Sequence, residues 1–71
     1  MNRALWVQKI SDTNLKNMLW AVELMDRTDE IPNEQVKHII NGYYSGTTDV
    51  CIKNFRLDVL KEAAFRWLCN I

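Results

Sequence analysis

The stretch that most constrains this chain is Asp49–Ile71, DVCIKNFRLDVLKEAAFRWLCNI, in which about 14 of 23 residues are apolar and neither Gly nor Pro occurs. Such a run predicts one long helix, too apolar to stand alone in water. Ile52, Phe55, Val59, Ala63 and Trp67 recur at helical spacing on one stripe, and Leu57, Leu60, Ala64, Leu68 and Ile71 form a second beside it. Together the stripes are wider than one partner helix covers. The rest of the chain is therefore expected to wrap this helix from more than one side, or a second copy to complete the cover. Trp67, in line with Phe55, Val59 and Ala63, is expected to be packed.

Upstream, the residues divide into shorter segments. Arg3–Ile10 sets Ala4, Val7 and Ile10 on one side with Leu5 and Trp6 adjacent, a short helix or an apolar arm. Ser11, Asp12, Thr13 and Asn14 have side chains that compete for backbone hydrogen bonds, so a new helix begins there and runs to about Arg27. Leu15, Met18, Leu19, Val22 and Met25 give that helix a buried stripe, while Trp20 and Leu24 sit towards its back. This pair either covers the N-terminal arm or forms an exposed contact surface. Ile31-Pro32-Asn33-Glu34 opens a third helix, with Ile31 or Asn33 as its cap. Val36, Ile39, Ile40, Tyr43 and Tyr44 follow the full i, i+3, i+4, i+7, i+8 pattern, and Ser45-Gly46 supplies a left-handed stop. Thr47, Thr48 and Asp49 offer caps for the last helix.

These elements predict an all-α fold, a small bundle of three to four helices packed around a long C-terminal helix, in one domain over residues 1–71. Its core is expected to draw on Leu15, Met18, Leu19, Val22, Met25, Val36, Ile39, Ile40, Phe55, Val59, Leu60, Ala63, Ala64, Trp67 and Leu68. A chain of 71 residues is near the size at which one core barely offsets ordering entropy, so help from a homodimer is expected. The apolar share of 48% is too high for intrinsic disorder.

The apolar run at the N-terminus is too short for a secretory signal, and charges interrupt the last helix well short of the roughly 20 nearly uncharged residues of a membrane span. No membrane association is expected, and the location is read as cytoplasmic. Cys51 and Cys69 lie 18 positions apart, about 27 Å on a helix, so both thiols are expected to be free within one chain. An intermolecular bridge through Cys69 is the lesser alternative.

Chemistry is sparse. His38 is the single histidine and is placed at the flank of its helix, while Ser11 and Ser45 have no histidine to activate them. His38, Cys51 and Cys69 show no metal-ligand spacing, and Gly42 and Gly46 make no phosphate-cradling loop. Neither an enzyme nor a metal or other cofactor is expected. Charge distribution says more: Glu23, Asp26, Asp29, Glu30 and Glu34 face a lone Arg27 over twelve residues of a chain with no net charge. These acidic residues, with Trp20 and Leu24, are the candidate partner-binding residues.

The function expected is therefore a non-enzymatic protein–protein interaction or regulatory module, homodimeric, docking on another protein. The alternative is a DNA-binding transcriptional regulator using a helix-turn-helix-like Asn33–Gly42 helix. That alternative meets an acidic approach turn and a single lysine, Lys37, where phosphate contacts would be needed.

Overall fold

The computed structural model describes residues 2–68; Cys69 and Ile71, both part of the expectations above, lie outside the described residues. Among the described residues four helices and no strand form a small all-α bundle: α1 (Leu5–Gln8), α2 (Asp12–Thr28), α3 (Glu34–Tyr44) and α4 (Asp49–Ala63), which continues as one π-helical turn over Ala64–Leu68. All three earlier helices pack on α4, and α2 and α3 touch each other little. The hub is the helix whose apolar surface was too wide for one partner.

Each of the longer helices starts at a side-chain cap that satisfies a backbone donor three residues on. Ser11 Oγ accepts from the Asn14 N–H at 3.2 Å, Asn33 Oδ1 from Val36 at 2.9 Å and Thr48 Oγ1 from Cys51 at 3.4 Å. Asn33, not Ile31, is thus the cap of α3, which places Pro32 ahead of the helix. The left-handed residue that ends α3 is Ser45, at φ 63°, and Gly46 follows it at a positive φ of 153° that residues with a side chain rarely adopt. The Tyr44 carbonyl, left open at that end, accepts from the Cys51 thiol at 3.0 Å.

The core consists of Val7, Leu15, Met18, Ala21, Val22, Met25, Val36, Ile40, Phe55 and Val59, with Leu19, Ile39 and Ile52 packed against it half-buried. Val7 brings the arm into the core, and Trp6 stacks 4.7 Å from Tyr43 and 6.0 Å from Phe55. The C-terminal part of the expected core is not there. Leu60 is 47% exposed, Trp67 37% and Leu68 68%, and Ala63 and Ala64 are only half-buried.

The reason is helical phase. Steps of four residues overshoot a turn by about 40°, so the row Phe55, Val59, Ala63, Trp67 winds off the core as it climbs. Steps of seven hold the face much better, and they lead from Phe55 to Glu62 and from Val59 to Arg66. Glu62 is indeed only 2% exposed. Charged residues occupy the inward positions that the apolar row had been expected to fill.

Two truncations separate the two phases. Phe55→Ala should cost about 3 to 5 kcal/mol in a denaturant melt, as expected for an emptied core site, whereas Trp67→Ala should cost about 1 kcal/mol or less. Equal losses would put Trp67 back in the core.

Candidate functional site

The inward charges form a network that fixes the N-terminal arm to the end of the hub. Arg3 donates to both Glu62 oxygens at 3.0 and 3.2 Å, and Arg66 Nε donates to Glu62 Oε2 at 2.7 Å. The rest of the Arg66 guanidinium reaches Asp12 at 2.9 Å and the carbonyls of Val7 and Gln8 at 3.1 and 3.3 Å. Arg66 therefore caps the C-terminal end of α1 while tying α2 to α4. Two guanidinium groups against two carboxylates leave the cluster neutral, and no buried side-chain polar atom among the described residues lacks a partner. The Glu62 carboxylate, and then Asp12, hold the Arg66 guanidinium still further above its ordinary range, working against partial burial. Arg3 also lies over the Phe65 ring, 3.4 Å from its centroid.

A second polar link closes the aromatic cluster. Trp6 Nε1 donates to the Tyr44 hydroxyl at 2.8 Å, and that hydroxyl donates to Asp58 on α4. Burial, and then the hydrogen bond to Asp58, push the Tyr44 hydroxyl well above the ordinary tyrosine value of 10.0, with the Trp6 donor opposing them. These networks engage Asp58, Glu62 and Arg66 on the packed side of α4 and its continuation, away from its outward face.

On a helical wheel Leu57 lies roughly 170° from the buried side of α4, with Leu60 and Ala64 beside it. Val50, Leu57, Leu60 and Leu68 are exposed, and Trp67 borders them with Lys16 of α2 above its ring at 5.6 Å. The structure leaves this apolar row without a cover. Leu57, Leu60, Ala64 and Leu68 are the second stripe of the sequence, less Ile71, and Val50 extends it.

The sequence-derived candidates lie elsewhere, on α2, the turn that follows it and the first turn of α3. Trp20 is exposed at roughly 160° from the buried side of α2, on its own outer face, so it does not cover the arm; Leu24 is half-buried. Glu23 pairs with Arg27 at 2.7 Å, and Asp26 pairs with Arg56 of α4. Asp29 ends α2 in a left-handed conformation, at φ 57°. With Glu30 it lines a cleft of about 410 Å³ whose other side carries Asp49, Lys53 and Arg56, so acid and base meet there. Glu34 stands in the first turn of α3, on an outer surface shared with Lys37, the exposed His38 and Asn41. A smaller cavity of about 150 Å³ between α2 and α3 is rimmed by Asn14, Asn17, Asn33 and Gln35.

Sequence reasoning overlooked Glu62 and Arg66 as structural partners, although their spacing of seven from Phe55 and Val59 marked them. No group of three or more His, Cys, Asp or Glu among the described residues is placed to hold a metal. No described helix is long and apolar enough to cross a membrane. Comparison with protein-family models, with curated proteins and with solved structures finds no match to this chain.

Two predictions follow from the networks. Glu62→Ala takes from Arg3 its carboxylate and leaves Arg66 with Asp12 and the α1 carbonyls, and should cost about 3 kcal/mol, whereas Arg3→Ala, which leaves Glu62 neutralised by Arg66, should cost about 1 kcal/mol. Chemical denaturation of the pair measures the difference, and equal losses would mean Arg66 does not suffice. For Tyr44, the unfolded chain ionises near its ordinary value while the fold retains the proton. Its contribution is therefore fully present below pH 10 and is lost as pH rises through the higher folded value. The stability gap between wild type and Tyr44→Phe should narrow between pH 9 and about 12; a constant gap would refute the shift.

Proposed function

We propose that this chain is a small non-enzymatic protein–protein interaction module of regulatory type, which docks through the outward face of α4. The observation that carries the reading is the row Leu57, Leu60 and Leu68, exposed on the one helix around which everything else packs. The core is complete without these side chains, so their placement has no use in the isolated fold. Contiguous exposed apolar surface on a small domain is one mark of an interaction site. A face borne by the hub is also stiff, since three helices brace it from behind, and docking on it costs little ordering entropy.

The acidic residues have a secondary part in this reading. Asp29, Glu30 and Glu34 steer a basic partner during approach, whereas Glu23 and Asp26 are engaged with Arg27 and Arg56. The module works in a reducing cytoplasm, where Cys51 stays a free thiol. DNA binding draws less support, because the outer surface of α3 sets Glu34 beside Lys37 and the chain has no net positive charge.

A photo-reactive benzophenone side chain at Leu57 tests the docking face in the host cell, with one at His38 as the control on α3. Discrete adducts from position 57, absent from position 38 and abolished by Leu60→Glu, are expected. Equal labelling from both positions would remove the outward face of α4 from consideration.

A further inference from the structure

We propose that the cavity of about 150 Å³ between α2 and α3 is a binding site for a small uncharged heterocycle of nucleobase type, seated on apolar side chains and read along its edge by carboxamides. No residue of α4 lines it, so the site is separate from the docking face.

The floor belongs to the core. Met18 and Val36 are buried, and Ile10 and Ile39 stand half-buried beside them, so the arm, α2 and α3 all contribute and the cavity exists only in the assembled fold. Apolar side chains on two facing helices suit the faces of a ring, and the thioether of Met18 adds a favourable contact to an aromatic edge. The space is smaller than the roughly 300 Å³ at which drug-sized pockets begin, so one ring system fills it.

The rim selects the chemistry. Asn14, Asn17, Asn33 and Gln35 surround the opening, and none of the lining residues is charged, in a chain of which 25% is charged. By contrast, Asp29, Glu30, Lys53 and Arg56 line the larger cleft, and Glu34 and Lys37 stand on the outer surface of α3. A carboxamide sets a donor beside an acceptor, which matches in two bonds an edge that also donates and accepts, as nucleobase edges do. An ion would lose hydration on the apolar floor and gain no opposite charge from the lining.

Uses within the chain account for only part of this rim. Asn33 Oδ1 caps α3 through the Val36 N–H at 2.9 Å, which leaves its amino group to donate. The side-chain amides of Asn14, Asn17 and Gln35 make no hydrogen bond to any described residue. Asn17 lies in the interior of α2, where asparagine disfavours the helix because its amide competes for backbone groups. No contact among the described residues offsets that cost, and an edge-on ligand would.

Heteronuclear NMR of the full chain reads the site directly, because side-chain amides have their own resonances. Adenosine, cytidine, guanosine and uridine are titrated separately. At least one should shift the side-chain signals of Asn17 and Gln35 with a Kd of about 1 mM or less, and the corresponding nucleoside monophosphate should bind no more tightly. Toluene, with a ring and no hydrogen-bonding edge, should bind at least about 10-fold more weakly. Asn17→Ala, at an exposed helical position, should weaken nucleoside binding by at least about 10-fold while the thermal melt holds or rises. The proposal is overturned if no nucleoside moves these signals at about 2 mM, if toluene binds as well, or if Asn17→Ala leaves the affinity unchanged. Shifts confined to the indole signals of Trp20 and Trp67 would mean stacking on exposed rings and would overturn it too.

Discussion

The buried carboxylate of Glu62 is the contact on which the rest of this structure depends. It sits where a core side chain would be expected and is held by Arg3 from the arm and Arg66 from the turn above. Burying one such charge alone would be prohibitive, and burying it with two guanidinium groups and a second carboxylate makes it tolerable. The arrangement also has a directional effect that an apolar side chain would lack. A leucine at position 62 would accept many neighbours, but this carboxylate accepts only groups that bring the arm and α2 to one place.

That constraint divides α4 into two sides with different duties. The inner side is filled by Phe55, Val59 and Glu62, and the three other helices are fastened to it. The outer side keeps its leucines exposed because none of the described residues reaches round to it: α1 is one turn long, and the ion pairs Asp12–Arg66 and Asp26–Arg56 hold α2 antiparallel along one flank. The same pairs that stabilise the bundle therefore keep it from closing over its own hub.

Much of the fold was legible in the sequence because it depends on local signals. Ser11, Asn33 and Thr48 announced the helix starts, and the periodic rows of α2 and α3 announced their buried faces. What failed was the extrapolation of an apolar row over four turns of α4, where drift in phase moved Trp67 to the edge, and the inclusion of Leu60, whose adjacent stripe faces outwards. Preference for apolar residues hid Glu62, since a charge in a helix reads as solvated unless its partner is known, and Arg3 is 59 positions away. For the candidate surface the second stripe was visible and the excess of apolar area was recognised. Which side of the helix would stay open was not, because that depends on tertiary ion pairs that no local pattern encodes.

The 59-residue span between Arg3 and Glu62 has a bearing on how the chain reaches its native state during synthesis. Helices α2 and α3 can form while the C-terminal segment is still inside the ribosome, but both lack the surface they pack on. The arm can be fixed in place only once Glu62 and Arg66 are available to hold it. Closing so long a loop is slow relative to local helix formation, so the nascent chain spends that interval with Val7, Leu15 and Ile40 uncovered. The contacts that hold the arm therefore form late relative to the local helices, because they join residues far apart in the sequence.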